Sequence, residues 1–202
     1  MQLIESLDYG KFYHIYNCGI NGCNFFRENR NYEYFLNLYD KHVSPVADTY
    51  AWVLMPNHFH LLVRIKNVVE QISPDRVLNP VRALVPSKQF SNLFNSYAQA
   101  FNKMYARHGN LFERPFKRKL IDDIGYFKHL VVYIHNNPVH HKFTEQAMDY
   151  PWSSYLTCVS IKPTHLQRDA VIGWFDHKAD FITAHKGQND DFDINEWLGF
   201  QD

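Results

Sequence analysis

The chain has 202 residues, 46% of them hydrophobic, which is enough for one well-packed core with a small appendage. Its 21 lysines and arginines balance 21 aspartates and glutamates, and no apolar run approaches the roughly 20 residues that cross a bilayer, so a membrane-spanning protein is excluded. Three cysteines, an odd number without zinc-finger spacing, exclude a disulfide scaffold and favour free thiols in a reducing cytoplasm.

The neutral total hides an uneven distribution of charge. Residues 169–202 hold eight acidic residues against two lysines, so residues 1–168 carry a net charge of +6. A basic body favours a nucleic-acid partner. The acidic C-terminal part makes direct phosphate binding there the less favoured role.

The first half of the chain predicts three strands and one helix. A strand at Phe12–Asn17 precedes a helix at Arg30–His42. Two apolar strands follow, around Trp52–Leu54 and Leu61–Val63, and a short turn joins them. Three prolines between Asn67 and Ser87 then predict an irregular surface loop.

Two histidines open the second of these apolar strands, just after the turn at Met55-Pro-Asn57. Successive side chains of a strand point to opposite faces, so His58 and His60 point together while Phe59 points into the core. Two imidazoles side by side on a sheet form a bidentate metal platform. The alternative is that both histidines lie on the solvated face of a half-buried strand.

A long helix and a strand follow the loop. The helix, at Phe90–Arg107, carries one apolar stripe, which predicts core packing and implies no cofactor. That stripe consists of Phe90, Leu93, Phe94, Tyr97, Phe101 and Met104. The strand is expected at Phe116–Ile121.

The next helix carries a second candidate group. Apolar residues at helical spacing predict an amphipathic helix from Asp122 to about Asn136, which Pro138 ends because the residue before a proline is pushed out of the α region. Tyr133 and Asn137 are four residues apart and can share one face of this helix. The alternative is that Tyr133 is a buried core aromatic and Asn137 a C-terminal cap.

Beyond Tyr155 the chain predicts two short helices and a tail. The helices are expected at Leu166–Phe175 and around Lys178–His185. Residues Asn189–Asp202 are expected to form an acidic tail with two aromatic anchors, Trp197 and Phe200.

The segment from Lys103 to Lys119 is the most basic run of the chain. Its cations are Lys103, Arg107, Arg114, Lys117, Arg118 and Lys119, and aromatic rings are interleaved with them. Cations that track phosphates and rings that stack on unpaired bases suit single-stranded or hairpin DNA, with Arg114 and Arg118 as the strongest phosphate candidates. His141, just past the helix that carries Tyr133, could also reach DNA, and the alternative is a plain surface histidine. The alternative for the basic run is a solvated helix end followed by an ordinary strand.

Five sequence blocks occur in a characteristic order over residues 10–156. They are Phe12-Tyr-His-Ile-Tyr-Asn17, Met55-Pro-Asn-His-Phe-His-Leu-Leu-Val63, Gly109-Asn-Leu-Phe-Glu-Arg-Pro-Phe-Lys-Arg118, Tyr133-Ile-His-Asn-Asn-Pro-Val139 and Tyr150-Pro-Trp-Ser-Ser-Tyr155. In this order the blocks resemble the single-tyrosine HUH transposases of small insertion sequences. The nearest resemblance is to their relatives associated with repetitive extragenic palindromes.

The resemblance implies a role for each candidate residue. His58 and His60 match the HUH metal ligands, with Phe59 as the hydrophobic residue between them. Tyr133 matches the nucleophile. Asn137 falls where the family places a third, amide- or carboxylate-type ligand, and many relatives have a glutamine there.

The resemblance also implies an architecture. Residues 1–156 are expected to form the HUH transposase domain, an α+β fold of the ferredoxin-like or RRM-like type with an antiparallel sheet and helices packed on one face. Residues 157–202 are expected to form a small helical and acidic extension.

The implied reaction is metal-dependent DNA strand transfer. Tyr133 would attack a phosphate of single-stranded DNA near a hairpin, form a 5′-phosphotyrosine and release a 3′-OH, and a second 3′-OH would reverse the attack. A free tyrosine has a pKa near 10 and needs assistance at neutral pH. A divalent cation held by two imidazoles and an amide oxygen would supply it, and we expect Mg²⁺ or Mn²⁺, with Mn²⁺ binding better.

Two other functions stay open. One is a DNA-binding protein derived from a transposase that has lost cleavage, although the intact His58, His60 and Tyr133 argue against it. The other is a water-using metal nuclease, which needs acidic ligands near the histidines, and the closest acids in sequence are Asp48 and Glu70. We expect hairpin DNA as the partner, no membrane, and a monomer slightly more than a homodimer.

Overall fold

The computed structural model describes residues 6–71, 84–123 and 125–186. Its strands are β1 (Phe12–Cys18), β2 (Ala47–Met55), β3 (His58–Ile65) and β4 (Lys117–Ile121). Its helices are α1 (Asn29–His42), α2 (Pro86–Met104), α3 (Gly125–His140), α4 (Tyr155–Val159), α5 (Arg168–Trp174) and α6 (Lys178–Lys186). None of the helices in these ranges is long and apolar enough to cross a membrane.

The four strands form one antiparallel sheet in the order β2-β3-β1-β4. The inner strands are therefore β1 and β3, and their register sets Tyr16 opposite His60 and Cys18 opposite His58. A two-residue turn joins β2 to β3, so Met55 pairs with His58 directly across it. All four strands predicted from the sequence are confirmed, with small shifts in their ends.

Helices cover both faces of the sheet. On one face, Phe35 of α1 and Phe94 of α2 pack against Phe59 of β3. On the other face, α3 shares a second core with alternate residues of β2 and β3, among them Val53 and Leu62. The predicted α+β class with an antiparallel sheet is confirmed, with one correction. The helices do not pack on one face alone, because the inner strands carry apolar side chains on both sides and each side needs cover.

The helix α3 begins later and ends later than the sequence predicts. The carboxylate of Asp123 accepts a hydrogen bond of 2.8 Å from the backbone N–H of Gly125 and so supports the first turn. The prediction that Pro138 ends the helix is wrong, since α3 continues to His140. A proline inside a helix costs about 3 kcal/mol, and the burial of every residue from 130 to 138 offsets that cost.

The helix α2 also differs at both ends. It begins at Pro86, within the predicted loop, because proline suits the first turn of a helix. It ends at Met104 rather than Arg107. Met104 is 48% exposed, so the prediction that it is a core residue is wrong. Of the predicted loop, Val68–Gln71 forms a 3-10 turn, and residues 72–83 lie outside the described part.

A row of buried hydrogen bonds joins α6 to α3. Nδ1 of His135 on α3 lies 2.9 Å from Nε2 of His185 on α6, and Nε2 of His135 lies 2.7 Å from the hydroxyl of Ser154. Phe181 of α6 is fully buried in the same core. The two short C-terminal helices are confirmed, whereas the predicted acidic tail at Asn189–Asp202, with its aromatic anchors, lies outside the described residues.

Candidate active site

His58 and His60 lie side by side at the start of β3. Their ring centroids are 5.3 Å apart, and Phe59 between them is fully buried on the opposite face of the sheet. His60 is only 4% exposed, and His58 is half-buried. The alternative of two histidines on a solvated strand face is therefore excluded.

The helix α3 places Tyr133 and Asn137 against this histidine pair. The ring of Tyr133 meets the ring of His60 edge-on, with centroids 5.4 Å apart. The side-chain oxygen of Asn137 lies 2.8 Å from Nε2 of His58. Asn137 is buried within the helix, so it does not act as a C-terminal cap. Four residues that the sequence separates by up to 79 positions thus meet at one place.

Both histidines are held in the neutral form. Burial lowers the pKa of His58 to about 4, although the side-chain oxygen of Asn137, which would accept a proton from the charged ring, acts in the opposite direction. Burial, together with the nearby rings of His14 and His58, lowers the pKa of His60 well below its usual value. The neutral imidazole is the form that binds a metal ion.

The polar atoms around His58 fit a divalent cation. Nδ1 of His58 lies 2.8 Å from the side-chain oxygen of Asn57, and Nε2 lies 2.8 Å from that of Asn137. A neutral imidazole has one N–H, so with both amide oxygens turned to the ring, one of these contacts joins two lone pairs. Neighbouring ligand atoms around an ion with bonds of about 2.1 Å are about 3 Å apart. Nε2 of His58 and the oxygen of Asn137 therefore suit a shared ion, with Asn57 accepting the Nδ1 proton.

The ligand set is two imidazoles and one amide. Within the described ranges, no cluster of three or more His, Cys, Asp or Glu side chains could hold a metal ion. The set of His58, His60 and Asn137 is not a cluster of that kind, because its third member is an asparagine. The acids nearest the histidines in sequence are engaged elsewhere, because Asp48 and Glu70 both form salt bridges with Arg64. This arrangement disfavours a hydrolase that binds its metal through carboxylates.

Two residues of β1 complete the surroundings of His60, and sequence reasoning gave neither a role. His14 stacks on His60 with ring centroids 5.1 Å apart, and Nε2 of His14 lies 3.0 Å from Nδ1 of His60. Tyr16 stacks on His14 at 4.8 Å. Burial, with a smaller effect of the Lys119 charge, lowers the pKa of His14 to about 3. The alternation of β1 could have placed these two rings on one face, but not beside His60.

The basic run divides between the two faces of β4. Lys117 and Lys119 lie on the face of the histidines, and Nζ of Lys117 is 5.9 Å from the centre of the Tyr16 ring. Arg118 points to the opposite face, where its guanidinium lies 3.8 Å from the centre of the Phe116 ring. Two of the three adjacent cations therefore border the site.

The remaining candidates for DNA contact are more dispersed. Lys103 is exposed in the last turn of α2. Arg107 and Arg114 each donate a hydrogen bond to an asparagine side chain of α2, at 3.1 and 3.4 Å. His141 is exposed just past α3, with its ring centroid 5.0 Å from that of His58. Of the seven candidates, His141, Lys117 and Lys119 lie on the face of the histidine pair.

Comparisons with known proteins bear on this arrangement. No protein-family model matches the chain. A REP-associated tyrosine transposase of Haemophilus influenzae is 27% identical over 110 residues, which make up 54% of this chain and 58% of that protein. The chain thus spans less than two thirds of the length of that relative.

One solved structure shares the fold of this chain. A REP-associated tyrosine transposase bound to a REP hairpin superposes with a TM-score of 0.61 at 18% identity, over 81% of this chain and 88% of that chain. A bacterial tRNA(His) guanylyltransferase-like protein in complex with GTP reaches a TM-score of only 0.40 at 10% identity over 67% of each chain, which is too weak a likeness to support an argument. The resemblance found in the five sequence blocks is confirmed, and in sequence and in fold this chain is similar to the REP-associated tyrosine transposases.

Proposed function

We propose that this protein is a metal-dependent DNA strand transferase, a transposase of the single-tyrosine HUH type. One observation carries the proposal: Tyr133 and Asn137, one helical turn apart on α3, face the paired imidazoles of His58 and His60. The relative in fold is bound to a REP hairpin, and for this chain we propose hairpin DNA with an adjoining single strand as the substrate. We infer that the activity is cytoplasmic, because the proposed substrate is DNA.

In the proposed reaction Tyr133 is the nucleophile. Its hydroxyl oxygen forms a bond to the scissile phosphorus, the bond from phosphorus to the 3′ oxygen breaks, and the tyrosine proton leaves with that oxygen as a 3′-OH. The product is a 5′-phosphotyrosine, which a second 3′-OH can attack to restore a phosphodiester. The number of phosphoester bonds is unchanged, so no external energy source is needed.

Three side chains would hold the metal ion, namely His58, His60 and Asn137. Mg²⁺ or Mn²⁺, when bound, supplies a Lewis acid that orients the phosphate and stabilises its developing charge. The protein side chains do the rest. The packing of Tyr133 against His60 positions the nucleophile, and Lys117 and Lys119 on the same face suit the phosphates on either side.

The first test compares two tyrosines that flank His60. Tyr133→Phe should abolish the covalent protein–DNA adduct while DNA binding persists. Tyr16→Phe removes the hydroxyl of the other tyrosine whose ring lies near that of His60, with centroids 5.9 Å apart, and should retain the adduct. The proteins would be incubated with Mn²⁺ and labelled single strands that carry hairpins from the flanks of the gene, and then run on denaturing gels.

Each outcome assigns a function. An adduct that disappears in Tyr133→Phe and on chelation supports the transferase. An adduct that survives in Tyr133→Phe refutes the assignment of the nucleophile. Cleavage without any adduct would indicate a water-using nuclease, and binding without either product an inactive DNA-binding derivative.

The assembly is part of the proposal. We propose a monomer that keeps Tyr133 and its histidines in one chain, because α3 already brings the tyrosine to His60 of the same chain. Size-exclusion chromatography with light scattering should give a mass near 24.0 kDa, and a stable dimer would contradict this assignment.

A further inference from the structure

One fully buried histidine stands behind the proposed metal site. His14 is 0% exposed, and its Nε2 lies 3.0 Å from Nδ1 of His60. The two rings are nearly parallel, at 13°. Because this contact engages Nδ1 of His60, a cation at His60 must be bound through Nε2.

The position of the protons follows from this contact. A hydrogen bond between two ring nitrogens needs one N–H and one lone pair. When Nε2 of His60 holds a cation, the proton of that ring is on Nδ1, so Nε2 of His14 must accept it. His14 then carries its own proton on Nδ1, a buried atom with no hydrogen-bond partner among the residues that the structure describes.

We propose that His14 is a positioning residue for the metal site: its Nε2 accepts the hydrogen bond from Nδ1–H of His60 and thereby fixes the tautomer and orientation of that ligand. The inference rests on the metal site of the proposed function. Partners of this kind usually are carboxylates, carbonyl groups or water, and their loss typically weakens metal binding 10- to 100-fold. Here another imidazole has that role.

Two substitutions of similar length separate the hydrogen bond from the packing. His14→Gln places an amide near the position of Nε2, and its oxygen can accept the proton of His60. His14→Met fills similar space without a strong acceptor. The two variants should therefore differ in metal affinity although both lose the imidazole ring.

The experiment is a Mn²⁺ titration of the DNA-free protein, read from the electron paramagnetic resonance signal of free Mn²⁺, with folding checked by circular dichroism. We expect His14→Met to lose about tenfold or more in affinity. His14→Gln should stay within about threefold of the wild type, because it keeps an acceptor for the Nδ1 proton of His60. Unchanged affinity in His14→Met, or an equal loss in both variants, overturns the role of His14 alone. If the wild type binds no Mn²⁺, the metal site of the proposed function fails together with it.

A spectroscopic measurement tests the tautomer directly. In the Mg²⁺-bound wild type, long-range ¹H–¹⁵N spectra of the imidazoles should show the protons of both His14 and His60 on Nδ1. A proton on Nε2 of His60 in the ion-bound protein overturns the proposal. If His14 served only as packing, its replacement in His14→Met would leave the tautomer of His60 unaffected.

Discussion

At the scale of single residues, Asn137 is shorter than the glutamine that the family resemblance leads us to expect at this position in many relatives. The asparagine is one methylene shorter, yet its oxygen already lies 2.8 Å from Nε2 of His58. Its side chain is 2% exposed, so a longer amide would have to displace its neighbours. A close approach of α3 to β3 therefore explains how a short side chain suffices here.

We expect Asn137→Ala to lower the affinity for Mn²⁺ by about tenfold or more, because it removes one of three proposed ligands. Asn137→Asp should retain or raise the affinity, since a carboxylate of the same length is a better ligand for a hard cation. Isothermal titration calorimetry would measure both. The control is Asn136→Ala. The amide of Asn136 donates a hydrogen bond to the backbone oxygen of His185 and does not face His58 or His60. Equal losses at positions 136 and 137 would contradict the assignment.

At the scale of elements, the alternation of β4 sorts its cations by face. The register with β1 puts Lys117 opposite Tyr16 and Lys119 opposite His14, on the face of the candidate site. Arg118 pairs with Ile15 and lies over the ring of Phe116 on the other face. A basic run in sequence is thus not one basic surface in the fold.

This sorting predicts different effects of neighbouring substitutions on DNA binding. Lys117→Ala should weaken binding to hairpin DNA and reduce the slope of log affinity against log salt by about 1, because one phosphate contact is lost. Arg118→Ala should leave that slope unchanged. Fluorescence anisotropy at several salt concentrations would measure it. A larger change in slope for Arg118→Ala than for Lys117→Ala would contradict the prediction.

The C-terminal helices are part of the second core. Phe181 of α6 is fully buried, and its ring packs edge-on to those of His135 on α3 and Phe175. We expect Phe181→Ala to lower the free energy of unfolding by about 3–5 kcal/mol, as measured by urea denaturation. Ile161→Ala, in the same extension but 94% exposed, should change it by no more than about 0.5 kcal/mol. A small effect at Phe181 would show that α6 unfolds independently of the core.

At the scale of the whole molecule, buried histidines make stability depend on pH. Burial lowers the pKa of His14 to about 3 and those of His58 and His185 to about 4, and it holds those of His60 and His135 well below the usual value. An unfolded histidine titrates near pH 6.5. Between that pH and about 4 the unfolded chain binds more protons than the folded one, so stability falls as the pH is lowered.

We therefore expect the urea midpoint to be roughly constant above pH 7 and to drop steeply between about pH 6.5 and about pH 5. A single fully shifted histidine contributes a slope of about 1.4 kcal/mol per pH unit. His185→Gln should reduce the slope, whereas His165→Gln, at an exposed position, should not. A midpoint that does not change over this range would contradict the prediction.

Local patterns in the sequence predict much of this molecule, and pairings between distant segments supply the rest. Strand alternation placed His58 and His60 together, and helical spacing placed Tyr133 and Asn137 on one face, because both patterns depend only on local geometry. The contact of His14 with His60 depends on the register between β1 and β3, which the order of residues along either strand does not encode. Tertiary packing likewise carries α3 past Pro138, against the local preference.

The fixation of α3 has a consequence for how strands could be exchanged. His135, two residues after Tyr133, is bound on both sides by buried partners, Ser154 and His185. Turning the helix about its axis would break both hydrogen bonds, so we expect the proposed nucleophile to keep its position during the reaction. A DNA end attached to Tyr133 would stay in place, and the second end would have to travel to it. The proposed strand exchange would then be a movement of the nucleic acid across the protein surface.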